Sequence, residues 1–213
     1  MLITHIRFRN LCISKNPLYH CYFAGTIYRK DQLKENHLVL GDKARSGSVP
    51  YTPGIYYNLK RIIRNNLFYI GNLYALRQWY RNVRSCFVGP DFPPELLQGL
   101  EATVMQGITE RFKQLERLGD KLSESKTSEG IQHDFPVAWS EIRSRFEELL
   151  TFEGADAEKE LFLSHIDQKI RTQGKDYLSI IKRLELHQVK TGTEWLDSIV
   201  TQVVSNALEC LPL

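Results

Sequence analysis

Acidic side chains are scarce in the first part of this chain. Residues 1–90 hold three, Asp31, Glu35 and Asp42, against 14 Lys and Arg, a balance of +11. Residues 91–213 reverse it, with 22 Asp and Glu against 14 Lys and Arg, or −8, and the two halves close on the net +3 of the whole. A basic half of this kind signals either an anionic partner or neutralisation by the acidic half, within the chain or across a subunit interface.

Long apolar runs are also missing. None approaches the roughly 18–20 residues that a membrane-spanning helix needs. The first residues, MLITHIRFRNLCISKNP, interrupt their short apolar stretch with charge and offer no small-residue cleavage site. The expectation is a soluble, non-secreted, cytoplasmic protein without membrane contact. Cysteine is sparse: Cys12, Cys21, Cys86 and Cys210 form no C-x-x-C pair and match no zinc spacing, so buried reduced thiols are expected and no metal site. His20 adjoins Cys21, but neighbours in a strand point to opposite faces.

Catalytic signatures are absent too. There is no G-x-S-x-G, H-E-x-x-H, G-x-x-x-x-G-K-[ST] or G-x-G-x-x-G. GDKARSGS (41–48) could turn backbone N–H groups toward an anion, but it lacks the Walker spacing and reads as a flexible turn. His165 and Asp167 stand two apart, a spacing that does not share a helix face. No catalytic residue and no cofactor is assigned, and the chain leans away from being an enzyme.

The 213 residues present suit one large domain or two small ones. The fold class expected is mainly α: a small β-containing N-terminal region followed by an acidic helical bundle. Strands are expected over 2–8, 18–28 and 37–42, with a loop over 43–54. A basic aromatic connecting helix follows over 55–88, with a kink or break at Gly71, and GPDFPP (89–94) stops it. The bundle over 94–213 is divided into helices at 94–122, 137–152, 156–172, 176–186 and 194–208, with a polar linker at 123–136.

The connecting helix concentrates rings and cations: GIYYNLKRIIRNNLFYIGNLYALRQWYRNVR (54–84). At about 100° per residue from Lys60, Arg64, Arg77, Arg81 and Arg84 span about 160°. Ile63, Leu67, Ile70 and Tyr74 fall inside the same arc. Basic and apolar groups intermix, which does not suit a helix lying on a membrane. A mostly buried helix is expected, its arginines answered by the acidic half, with any binding surface concentrated at Arg77–Arg84. The candidate residues toward an anion or acidic partner are Arg61, Arg64, Arg77, Arg81 and Arg84 with Tyr57, Trp79 and Tyr80.

The same stretch, through Asn72-Leu73-Tyr74-Ala75-Leu76 and its arginine-bearing flanks, resembles large uncharacterised bacterial proteins in which a left-handed β-helix precedes a helical region. The resemblance covers about residues 20–90. It implies that Ala24-Gly25 and Leu40-Gly41-Asp42 are remnants of β-helix coils, although nothing repeats at six. It also implies that the chain is the C-terminal portion of a longer protein whose sugar-nucleotide or acyl-donor site is missing.

Three functions are thus expected, in order. The first is a non-catalytic helical interaction or oligomerisation module with a protein partner or further copies of itself. The second is an RNA- or DNA-binding protein using the basic aromatic helix, with Tyr56 added. The third is a remnant sugar-nucleotide or acyl-transfer protein.

Overall fold

A computed structural model describes residues 20–22, 37–42, 45–50, 58–124 and 129–211. The chain divides into two compact units, 1–55 and 56–213.

In the first unit, strands β1 (His20–Tyr22), β2 (His37–Asp42) and β3 (Arg45–Pro50) form one sheet in that order. β1 runs parallel to β2 and β3 antiparallel to it, from His37 opposite Pro50 to Asp42 opposite Arg45. Residues 45–50 are therefore a strand where the sequence suggests a loop. Ladder pairing with β2 takes up the backbone groups on one side of this edge strand. The strand expected at 2–8 lies outside the described residues.

The second unit is helical: α1 (Leu59–Asn82), α2 (Pro94–Ser123), α3 (Ile131–Glu148), α4 (Asp156–Gln173), α5 (Tyr177–Lys182) and α6 (Leu186–Leu208). Short 3-10 turns follow α1 at Arg84–Phe87 and α3 at Leu149–Thr151. Mainly α is the fold class of this unit. α1 is an integral member of it, packing on α6, α2 and α3, while α2 packs on α3 and α4 on α6.

The core follows the 3.6-residue rhythm. α1 buries Leu59, Ile63, Leu67, Ile70 and Tyr74, and α2 buries Val104, Ile108, Phe112 and Leu115. Phe146 of α3 stacks on Phe112 with centroids 5.4 Å apart.

Several helix bounds differ from the sequence reading: α1 is shorter at both ends than 55–88, and α5 stops at Lys182 where 186 is expected. α1 passes through Gly71 without a break. A Cβ there would lie 3.2 Å from the Val200 carbonyl oxygen and 3.3 Å from its Cα, so the missing side chain lets α6 approach closely. α3 begins at Ile131, inside the expected linker, and carries Pro136 within it. Burial of Phe135 and Trp139 against the core outweighs the backbone donor that Pro136 lacks. α6 begins eight residues early, at Leu186, behind a capping box of Glu185 and Gln188. Gly192 lies inside this helix, ahead of the expected start, and faces the Phe162 ring, where a Cβ would stand 2.6 Å away.

Candidate functional site

The expected site lies along α1, and the two ends of that helix have different surroundings. At its C-terminal half, side chains one turn apart reach the end of α3. Tyr74 donates its hydroxyl to the Phe146 carbonyl at 2.7 Å. Arg77 donates to Leu150 at 2.5 Å, and the Gln78 amide to Phe152 at 2.8 Å. A helix C-terminus leaves carbonyls without intrahelical donors, and α1 supplies those donors here. From the other side, the Trp195 indole donates to the Glu153 carbonyl at 2.7 Å, and Ser198 Oγ accepts from the Ala155 N–H at 2.9 Å.

Burial pushes the Tyr74 phenol well above its ordinary range. Arg77 nearby opposes that shift and Glu147 adds to it. Arg77 is shifted the other way, chiefly by burial and then by Arg81. Its Nε is buried and has no hydrogen-bond partner among the described residues.

The other two arginines of this end also have neighbours within the unit, although Arg81 is exposed. Arg81 stands 3.8 Å from Glu101 of α2. The Arg84 guanidinium lies between the Phe92 and Tyr177 rings, 3.9 Å from each centroid. Tyr177 also takes the edge of Phe87 at 5.2 Å and accepts a hydrogen bond from the Trp79 indole at 3.2 Å. Trp79 packs on Phe162 at 5.8 Å. Tyr80 is half-buried. Of the residues expected to concentrate a binding surface at Arg77–Arg84, Arg77 and Arg84 are engaged within the fold, while Arg81 stays exposed. The expected answer by carboxylates holds for Arg81 alone of the three; a carbonyl answers Arg77 and two rings answer Arg84.

The N-terminal half of α1 is different. Lys60, Arg61 and Arg64 are exposed, and no carboxylate among the described residues pairs with them. Phe68 and Tyr69 expose 39% and 47% of their surface beside these cations. Arg64 sits over the Phe68 ring at 5.7 Å, and Arg111 of α2 over the Tyr69 ring at 4.4 Å. Arg111 is oriented by Asn66 at 3.1 Å and Gln114 at 3.0 Å, both neutral. Asn65, Asn72 and Leu76 complete the exposed strip. Sequence reasoning missed Phe68, Tyr69 and Arg111 as site residues. The wheel itself carried the signal for Phe68, about 140° from the centre of the apolar stripe. Tyr56 and Tyr57 lie outside the described residues.

Elsewhere, a groove of about 420 Å³ between α2 and α3 is floored by Met105, Ile108, Phe112 and Leu150. Arg143 crosses its rim to Glu116 and Glu147, each at 3.2 Å. Cys86 is exposed, contrary to the expected buried thiol, and its Sγ donates to the Asn82 carbonyl at 3.2 Å. His165 meets His187 edge-on at 5.6 Å, and His187 stands 3.5 Å from Glu185. Among the described residues no three metal-ligating side chains converge, and no helix is long and apolar enough to cross a membrane. Compared with known proteins, the chain matches no family model, no curated protein and no solved structure.

Proposed function

We propose that this protein is a non-catalytic helical interaction module whose contact surface is the outward face of α1. The observation that carries the reading is the contrast within one helix. Tyr74, Arg77 and Gln78 are engaged with backbone carbonyls, whereas Arg61, Arg64, Phe68 and Tyr69 are exposed. Exposed rings flanked by cations without carboxylate partners are the composition of a contact patch. A second copy would bring the same excess of positive charge to this face and no carboxylate to answer it, so the reading favours a foreign, anionic partner over self-association here. The remnant-transferase reading draws no support from the described residues.

A benzophenone side chain placed at Asn72 and, as a control, at Glu148 tests the proposal in extract of the source cells. Discrete cross-linked species are expected at position 72, and Arg61→Glu should suppress them. Equal labelling at both positions would sink the reading.

A further inference from the structure

We propose that the outward face of α1, joined by Arg111 of α2, binds single-stranded nucleic acid. The inference rests on the interaction-module reading and supplies its partner class.

Four cations share this end of the helical unit. Lys60, Arg61 and Arg64 are exposed, and Arg111 is held by two neutral amides. Elsewhere in the unit three arginines are matched to carboxylates, Arg143 to Glu116 and Glu147, Arg145 to Glu141 and Glu209, and Arg171 to Asp167, whereas Arg117 and Arg183 stand singly without an ion pair among the described residues. What sets the α1 end apart is that its cations are grouped beside exposed rings. The cations on α1 await a polyanion, and phosphates supply one charge per nucleotide.

The rings select among polyanions. The carboxylates of an acidic peptide bring no ring to lay on Phe68 or Tyr69, whereas every nucleotide brings both a phosphate and a base. Each ring already has a guanidinium over one face, at 5.7 and 4.4 Å, so a base would stack on the guanidinium or on the ring's other face. A base stacks equally on ring or guanidinium plane, while the outward N–H groups reach phosphate. Asn65 and Asn72 are exposed between them and suit base edges. The Asn72 amide nitrogen is donated to the Phe68 carbonyl at 2.7 Å, which leaves its oxygen as an acceptor.

Shape argues the same way. The other faces of α1 pack on α6, α2 and α3, so the outward face is a convex ridge. Lys60 to Leu76 spans ~24 Å along it. An amphipathic peptide helix needs a groove, which a ridge does not offer, whereas a flexible single strand can follow a ridge. Glu110 of α2 adjoins Arg111 in sequence and accepts from the same Gln114 amide group at 3.2 Å, a carboxylate one hydrogen bond removed from that cation.

The test uses the full chain and fluorescein-labelled oligonucleotides of deoxythymidine and of uridine, about 20 nucleotides long, read by anisotropy. Binding is expected at about 50 mM salt, with log K falling linearly against log salt by about 0.7 per phosphate contacted. Arg61→Glu with Arg64→Glu should weaken binding at least roughly tenfold and flatten that slope. Phe68→Ala should weaken it several-fold at unchanged slope. Glu110→Gln should tighten it. All four positions are at the surface, and circular dichroism checks that each variant stays folded.

No anisotropy change with the wild-type chain at about 50 mM salt overturns the proposal. So does indifference to the double arginine change. Equal affinity for a duplex of the same length removes stacking and overturns it. Equal competition by polyglutamate shows an acidic protein partner and overturns it as well. If oligonucleotides fail while the cross-link at position 72 persists, only the partner class is wrong. If both fail, the module reading goes too.

Discussion

Tyr74 holds its hydroxyl on the Phe146 carbonyl where little water reaches. Removing that donor leaves a carbonyl at the end of α3 short of a partner, so Tyr74→Phe should cost about 1–2 kcal/mol near neutral pH by urea melts. The pH dependence has a definite sign. Burial raises the folded-state phenol above its unfolded value near 10, so the contribution is complete below about pH 10. It is lost as the pH rises further, because the unfolded chain ionises first. Melting temperature should therefore drop on the alkaline side in the wild type and drop less in Tyr74→Phe. The stripe that includes Tyr74 is legible in the sequence: Ile63, Leu67, Ile70 and Tyr74 recur at helical spacing, and all four are buried. The fates of Arg77 and Gln78 are not legible, because their acceptors lie more than 70 residues away on a backbone that any sequence would supply.

Among the elements, α4 and α6 depend on one absent side chain. A Cβ at Gly192 would stand 2.6 Å from the fully buried Phe162 ring. Gly192→Ala should destabilise by roughly 1–3 kcal/mol through overpacking. Gly99→Ala, in α2 with nothing within 4 Å of the new atom, should instead stabilise by about 0.5–1 kcal/mol. Paired thermal melts decide between these signs, and a loss at Gly99 would contradict the account. A local reading cannot separate a glycine that ends a helix from one that lets a neighbour approach; the ring of Phe162, 30 positions earlier, decides it. Pro136 misleads in the same way. It marks a break only where no Phe135 and Trp139 lie on either side to be buried.

At the scale of the molecule, the charge asymmetry resolves into two parts. The acidic helices answer Arg81 through Glu101, and Arg143 and Arg145 pair with carboxylates of the same acidic half. The cations at the start of α1 remain outside that accounting. The hydrophobic cluster runs from Leu59 to Leu211 within the second unit. Residues 56–213 expressed alone should therefore melt in one cooperative transition with helical circular dichroism. A non-cooperative melt would show that the core needs the rest of the chain.

The connector between α3 and α4 has one further consequence. Residues 149–155 look like an ordinary surface loop, short, partly exposed and carrying Gly154 at φ 92°. Yet its backbone is held by Arg77, Gln78, Trp195 and Ser198, which belong to two different helices. No single helix can let go and free it. To a protease the connector is closed until α1 and α6 separate, so its cleavage should follow global unfolding. Urea that leaves the far-ultraviolet signal intact should leave this loop uncut.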